Sequence, residues 1–222
     1  MSQISYRTLE CNEMIAFLEA ATADSIFACD TEGTNIALDY RDGTGYGTGI
    51  SLAFRFGEIL TGYYPYRHPA NNLDPIQQQR LCNAITNFKG WLIMHNAKHE
   101  LVALKTLGID YKGKFYDTLL LCHLLNEILP YTNSLNGCVA YYLKGDLSKD
   151  DSVVKTIVAA LGGQWHLIPA DIMAPYATYD AVRALALFEF IEPLVFAGVP
   201  RTYLDRRQDF IIFILKMESR GL

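Results

Sequence analysis

The sequence predicts an α/β fold in which a mixed β-sheet is flanked by α-helices. Short apolar runs with strand character are concentrated in the N-terminal half of the chain, whereas segments with helical periodicity dominate the C-terminal half. Half of the 222 residues are apolar and 19% are charged, a composition typical of globular proteins. Strands first and helices afterwards indicate one α/β domain.

Four segments have the pattern of strands. The first, residues 25–32 (SIFACDTE), contains four consecutive apolar residues, as expected for a strand that is covered on both faces. The others are 49–56, 58–64 and 91–94. The second strand meets the third at Gly57, a residue type that favours turns.

Helical periodicity is present in most of the remaining chain. The predicted helices are 8–21, 75–88, 97–107, 118–127, 134–143, 152–161, 170–196 and 203–219. Thr8 or Asn12 is expected to cap the first helix, Asp74 the second and Asp117 the fourth. Because proline interrupts helical hydrogen bonding, Pro175 is expected to divide 170–196 into two pieces.

Composition argues against several classes of protein. The net charge of −5 argues against a chain that holds DNA by bulk electrostatics, since such domains are usually basic. The five cysteines include no CxxC pair, which predicts reduced thiols in a cytoplasmic protein. No apolar run reaches about 18 residues, and the N-terminus is too polar for a signal peptide, so we expect no membrane association.

The strand at 25–32 brings two carboxylates to one point. Because side chains alternate along a strand, Asp30 and Glu32 point to the same side. Two like charges at the end of a buried strand repel each other, and burial removes their hydration. A proton, a basic partner or metal cations must compensate for this cost.

Two helices each place a further acid on a face that is otherwise apolar. Asn96 and Glu100 are four residues apart, and so share a helix face. Tyr176 and Asp180 have the same spacing. Taken alone, Glu100 fits a solvated charge on a helix. Asp180 taken alone fits an ion pair with Arg183 as well as it fits membership of an acidic site. Four carboxylates in one site, however, would repel strongly without divalent cations, and oxygen ligands favour Mg²⁺ or Mn²⁺.

The order of these groups resembles the DEDD superfamily of 3′–5′ exonucleases, in the subclass whose third motif is YxxxD. The chain is most similar to the proofreading domain of family A DNA polymerases, especially those of phages. The matching motifs are FACDTEGTN (27–35), HNAKHE (95–100) and YATYDA (176–181), with supporting matches at 63–74, 117–127 and 134–143. The resemblance implies a ribonuclease H-like exonuclease domain over 1–200. The closing MESRGL resembles the start of the polymerase part, so 201–222 is expected to be a C-terminal helix that leads into a polymerase domain.

The resemblance also implies a role for each acid. Two divalent ions about 4 Å apart would clamp the scissile phosphate, one activating water and the other stabilising the leaving 3′ oxygen. Asp30 would bridge both ions, and Glu32 and Asp180 would hold the ion that carries the water. Glu100 would support the second ion. The motif usually has aspartate at this position, and we expect the extra methylene to be tolerated with a reduced rate.

Three further residues are assigned to catalysis or substrate binding by the resemblance. Tyr176 would orient the attacking water through its hydroxyl, since a native pKa near ~10 makes tyrosine a poor base at pH 7. Asn96 would contact the terminal nucleotide. Ile36 would be an apolar wedge between the last two bases, with ordinary packing as the alternative.

The sequence therefore predicts a metal-dependent 3′–5′ exonuclease that removes nucleoside monophosphates from a single-stranded or frayed DNA 3′ end. In this interpretation it is the proofreading part of a phage-type DNA polymerase, has a polymerase domain or subunit as its partner, and works in the host cytoplasm. The alternatives are a free-standing nuclease that trims RNA or DNA and a catalytically weak scaffold of the same fold that binds nucleic acid.

Two other motifs are given simpler interpretations. The segment GTGYGTG (43–49) lacks the Lys-Ser/Thr ending of a phosphate-binding loop and is interpreted as a turn. His95 and His99 are four residues apart, but no third zinc ligand is suggested, so we expect one in the substrate cleft and one on the surface. Tyr63 is interpreted as strand packing and His68 as structural.

Overall fold

The computed structural model describes residues 5–34, 45–126, 133–144, 147 and 151–220, and a mixed sheet forms its centre. The strands are β1 (Tyr6–Thr8), β2 (Ile26–Gly33), β3 (Gly47–Phe56), β4 (Glu58–Pro65), β5 (Trp91–Met94) and β6 (Lys114–Asp117). Within the described residues they form one sheet in the order β1-β4-β3-β2-β5-β6. The central strand β2 is antiparallel to β3 and parallel to β5.

Helices cover both faces of this sheet. They are α1 (Cys11–Glu19), α2 (Pro75–Thr86), α3 (Ala97–Thr106), α4 (Thr118–Leu125), α5 (Leu135–Tyr142), α6 (Ser152–Ala160), α7 (Ala170–Phe196) and α8 (Arg201–Glu218), with a short 3₁₀ helix at Trp165–Leu167. This arrangement confirms the predicted α/β fold. None of the helices in the described ranges has the length and apolarity that a membrane span requires.

Two short edge strands were not predicted, and the predicted cap of the first helix was wrong. Strands β1 and β6 have only three and four residues, so pairing with a neighbour defines them better than any sequence pattern does. Because Thr8 belongs to β1, the first helix begins later than predicted. Its N-cap is Glu10, which forms a capping box with Glu13, so neither Thr8 nor Asn12 has that role.

The prediction that Pro175 divides 170–196 is wrong, because α7 is one helix of 27 residues. Pro175 lies in the second turn, where its missing N–H removes the bond to the carbonyl of Asp171. Both residues are exposed, so water can satisfy that carbonyl. A single long helix results, and it crosses the sheet beside β2, β3 and β4.

Alternation along β2 divides its side chains between the two layers. Phe27 and Cys29 belong to the apolar cluster that also contains residues of α1, α2 and α3. Ala28 belongs to the opposite cluster, which contains much of α7. Continuing this alternation, Asp30 faces α7 and Thr31 faces α3. The strand therefore delivers polar groups to both layers at its carboxyl end.

Helix α8 closes one side of the molecule. It lies against α3 and β6. Ile211, Ile212 and Leu215 pack on the cluster that contains α3. Lys98 on α3 forms an ion pair with Glu218, with 2.7 Å between Nζ and Oε1. The C-terminal segment is thus in contact with the helix that carries the second acidic motif.

Candidate active site

Three of the predicted acids meet at the carboxyl end of β2. One carboxylate oxygen from each of Asp30, Glu32 and Asp180 lies within 4.8 Å of the other two. Asp30 and Glu32 come from β2, where they pair with Ser51 and Gly49 of β3. Asp180 comes from α7, which packs against this strand. The helix and the strand thus bring together residues that are 150 positions apart in the chain.

The chemistry of this acid trio (Asp30, Glu32 and Asp180) fits a hard divalent cation. All three side chains are partly buried, so repulsion between their charges is weakly screened. Carboxylate oxygens are the donors that Mg²⁺ and Mn²⁺ prefer. Among the described residues, this is the group of acids, histidines and cysteines that is close enough to hold a metal ion.

Glu100 lies beside the acid trio and has its own partner. Its side chain is 4% exposed, and Thr31 donates a hydrogen bond from Oγ1 to Oε2 at 2.7 Å. Burial raises the pKa of Glu100 well above its usual range, and the nearby charges of Asp30 and Glu32 raise it further. Glu100 is therefore close to the acid trio, on the side of the sheet that Thr31 faces.

The N-terminus of α3 is held by an acid that serves two helices. Asp117 was predicted to cap the fourth helix, and its Oδ1 does accept the N–H of Leu119 at 2.9 Å. The same carboxylate also accepts the backbone N–H groups of Asn96 and Ala97, both at 2.9 Å. This second capping interaction links the start of α3 to that of α4, and sequence spacing gave no signal of it.

Asn96 is placed at the entrance to α3 with an exposed side chain. It has a left-handed backbone with φ of 66°, a conformation that asparagine tolerates better than most residues. Its side chain makes no capping bond to α3. The amide group therefore projects from the surface one helical turn before Glu100.

Tyr176 lies one helical turn before Asp180 and is close to the acid trio. Its ring packs near Trp165, with 5.6 Å between the ring centroids. Burial raises the pKa of Tyr176, and the charges of Glu32, Asp180 and Asp30 raise it further. The hydroxyl consequently stays protonated at neutral pH and acts as a hydrogen-bonding group, as predicted from its intrinsic pKa.

Tyr63 and His68 form a buried pair. Burial raises the pKa of Tyr63, and Glu32 is close enough for its carboxylate charge to raise that pKa further. Tyr63 is 8% exposed, and its hydroxyl is hydrogen-bonded to His68 Nε2. His68 Nδ1 lies 2.7 Å from the carbonyl oxygen of Ile168, in the segment that precedes α7. Gly49 makes room for this ring, since a Cβ there would lie 2.1 Å from the Tyr63 hydroxyl. Both residues are buried, in agreement with the packing interpretation of the sequence, and their bonds join β4 to the segment before α7.

Both ring nitrogens of His95 lie within hydrogen-bonding distance of polar groups. Its Nδ1 lies 2.9 Å from Thr118 Oγ1, and its Nε2 lies 3.0 Å from the carbonyl oxygen of Asn133. Burial lowers the pKa of His95 and likewise that of His99. Ile36, the predicted wedge, lies outside the described residues.

Comparison with known proteins agrees with this architecture. A model of the 3′–5′ exonuclease family matches residues 3–195. A DNA polymerase, DpoZ, of Acinetobacter phage SH-Ab 15497 is 26% identical over 142 residues, which cover 59% of this chain and 22% of the polymerase. The chain thus spans less than a quarter of that relative.

Solved structures share the fold at low sequence identity. One is the Pol1 POL domain of M. smegmatis in complex with DNA primer-template and dNTP, with a TM-score of 0.56 at 19% identity. This match covers 85% of the present chain and 27% of the Pol1 chain. Another is Trypanosoma brucei RNase D in complex with RNA U12, with a TM-score of 0.65 at 11% identity. This match covers 96% of the present chain and 70% of the RNase D chain. With the family model matching most of its length, this chain belongs to the 3′–5′ exonuclease family and has the ribonuclease H-like fold of the DEDD exonucleases.

Proposed function

We propose that this chain removes nucleoside monophosphates from DNA 3′ ends as the proofreading part of a DNA polymerase. The observation that supports this most directly is the meeting of Asp30, Glu32 and Asp180 within 4.8 Å. The similar phage DNA polymerase favours DNA as the substrate.

In this proposal the acid trio would hold Mg²⁺ or Mn²⁺, with two ions bound in the active form. Asp30 would contribute to both sites, Glu32 and Asp180 to the first, and Glu100, which is close to Asp30, would support the second. When bound, the ions would neutralise charge on the scissile phosphate. The buried hydrogen bond from Thr31 restricts the orientation of the Glu100 carboxyl group, which is consistent with this role.

Three residues complete the proposed site. The protonated hydroxyl of Tyr176 orients the attacking water, for which its position beside Glu32 and Asp180 is suitable. Asn96 contacts the terminal nucleotide through its exposed amide. Ile36 separates the last two bases as an apolar wedge.

The domain division is also a proposal. Residues 1–200 form the exonuclease domain, which agrees with the family match to 3–195. Residues 201–222 form the start of a polymerase domain, and α8 occupies most of this segment. Phe210 and Phe213 on α8 are more than half exposed, which is consistent with a further domain covering that face.

A nuclease that trims RNA or DNA without a polymerase is the second candidate. It is favoured by the fold shared with an RNase D that was solved with RNA, over 96% of this chain. In that case the site would act on RNA 3′ ends with no preference for mismatched DNA.

The two candidates are separated by digestion of 5′-labelled substrates with Mg²⁺ or Mn²⁺. We expect DNA to be shortened faster than RNA of the same sequence. A mismatched 3′ end in duplex DNA should be removed about tenfold faster than a paired one, since less unpairing energy is needed. Faster digestion of RNA, with equal rates on paired and mismatched DNA, would favour the trimming nuclease. Asp180→Asn protein prepared in parallel controls for contaminating nucleases.

A further inference from the structure

Arg183 is a buried arginine whose position packing does not explain. It lies on α7 with 2% of its surface exposed, between the buried residues Val182 and Ala184. Burying a guanidinium removes its hydration, which is costly unless a charge or several hydrogen bonds compensate. An apolar side chain would suit this stretch of α7 better, so the reason for an arginine must lie in its polar contacts.

The polar contacts of Arg183 point to the acid trio. Nη1 donates a hydrogen bond to Asp180 Oδ1 at 3.0 Å, across one helical turn. Within the described residues, the buried Nε of Arg183 has no hydrogen-bond partner. The contact with Asp180 is therefore its principal compensation. That contact neutralises part of the charge that three converging carboxylates create.

Among the described residues, Asp180 is the acid with which Arg183 forms an ion pair. The Tyr179 ring centroid is 6.0 Å from Cζ. His95 is close enough for the charge of Arg183 to add to the effect of burial and lower the His95 pKa. The charges of Asp117 and Asp180 raise that pKa. The carboxylate of Asp117 is engaged by three backbone N–H groups. Within the part of the chain that the structure describes, the direct counter-charge of Arg183 is thus Asp180, one member of the acid trio.

We propose that Arg183 is a positioning residue that fixes the carboxylate of Asp180 for metal binding. By holding Oδ1, it limits rotation of the carboxylate and sets how Asp180 meets Asp30 and Glu32. It also supplies a permanent positive charge that keeps the three acids together before a metal ion binds. This inference rests on the proposed role of Asp180 as a metal ligand. Hydrogen bonds that orient a ligand in this way commonly change metal affinity by 10–100-fold when they are removed.

The inference is tested by the affinity of the protein for Mn²⁺, measured by calorimetry or by the paramagnetic resonance of unbound Mn²⁺. Arg183→Met should bind Mn²⁺ about 10–100-fold more weakly than wild type. Arg183→Lys keeps the charge but loses the planar guanidinium, so its affinity should be intermediate. The Mn²⁺ concentration for half-maximal nuclease activity should shift in the same order.

Arg55→Met is the matched control. Arg55 forms a two-bond ion pair with Glu189, which lies nine residues after Asp180 on the same helix, about 13 Å along its axis. This pair is partly exposed and lies away from the acid trio, so its loss should leave Mn²⁺ affinity unchanged. Circular dichroism verifies that each variant is folded. If Arg183→Met does not fold, Arg183→Lys decides the question.

The outcomes distinguish this inference from the proposed function. Unchanged or tighter Mn²⁺ binding in a folded Arg183 variant would overturn the positioning role, even if the unfolding temperature fell. The inference alone fails if Asp180→Ala loses Mn²⁺ binding while the Arg183 variants retain it. If wild type binds no Mn²⁺, or Asp180→Ala binds it as wild type does, the proposed function fails as well.

Discussion

At the scale of single residues, the site depends on which side of β2 each group faces. Asp30 and Glu32 share a side because strand side chains alternate, and this was readable from the sequence. The hydrogen bond from Thr31 to Glu100 could not be predicted from the sequence. It joins residues 69 positions apart and depends on where α3 crosses the sheet. Sequence reasoning offered Arg183 and metal ions as alternative partners of Asp180. The structure contains the ion pair within a group that can also hold a metal.

Tyr176→Phe tests the role of the hydroxyl beside the acid trio. The ring and its packing near Trp165 are retained, so folding should be unaffected. Loss of the group that orients the water should lower the single-turnover rate about 10²-fold with little change in substrate affinity. A rate within twofold of wild type would remove Tyr176 from the mechanism.

At the scale of elements, the structure explains which predictions succeeded. Segments with a strong pattern of their own, such as β2 and α2, were predicted within one or two residues. Edge strands β1 and β6 depend on pairing with β4 and β5, so their short sequences carried little signal. The continuity of α7 depended on solvent exposure at Pro175, which a local rule for proline does not include.

Asp117 should matter for activity as well as stability, because it caps the helix that carries Asn96 and Glu100. Asp117→Asn weakens its bonds to the N-termini of α3 and α4, and we expect a loss of about 1–3 kcal/mol in the free energy of unfolding. Exonuclease activity should fall at least tenfold under conditions in which the variant remains folded. Urea unfolding and a nuclease assay on the same preparation provide both values.

Asp74→Ala is the matched control for this variant. Asp74 caps α2 by accepting the N–H groups of Ile76 and Gln77. Its loss should cost about 1 kcal/mol of stability and leave activity unchanged, since α2 carries no proposed site residue. Equal activity losses in both variants would show that capping affects function only through global stability.

At the scale of the whole molecule, buried histidines should make stability depend on pH. Burial lowers the pKa of His68, so between its folded pKa and about 6.5 the unfolded chain binds more protons than the folded one. This contribution to stability is therefore full above about pH 6.5, declines as pH falls from about 6.5 to the folded pKa, and levels off below that pKa. His95 and His99 act in the same direction.

His68→Asn isolates one part of this effect. The variant should show a smaller decline of the unfolding free energy between pH 7 and pH 5 than wild type, measured with urea in metal-free buffer. Asparagine retains a donor near the position of Nδ1, which preserves the contact with Ile168. An identical pH slope in both proteins would mean that His68 does not titrate in this range.

At the scale of the whole chain, the net charge is −5, so we expect nucleic acid to be bound through contacts at the site and not through overall charge attraction. We expect binding to be weak without metal and to weaken further with salt. Composition could predict this and a globular fold, whereas the α/β class was predicted from the order of strand-like and helix-like segments. That Asp180 lies beside Asp30 and Glu32 could be seen only in the tertiary structure, because α7 brings Asp180 to a strand about 150 residues earlier in the chain.

The central claim is that Asp30, Glu32 and Asp180 form a metal-dependent exonuclease centre, and digestion of a 5′-labelled single-stranded DNA oligomer tests it most directly. With Mg²⁺ or Mn²⁺, wild type should give a ladder that shortens from the 3′ end. EDTA should abolish the ladder, and Asp30→Ala should lower the rate by about 10³-fold or more, since several kcal/mol of transition-state stabilisation are lost. A folded wild-type protein that gives no metal-dependent shortening, or an Asp30→Ala variant as active as wild type, would contradict the account.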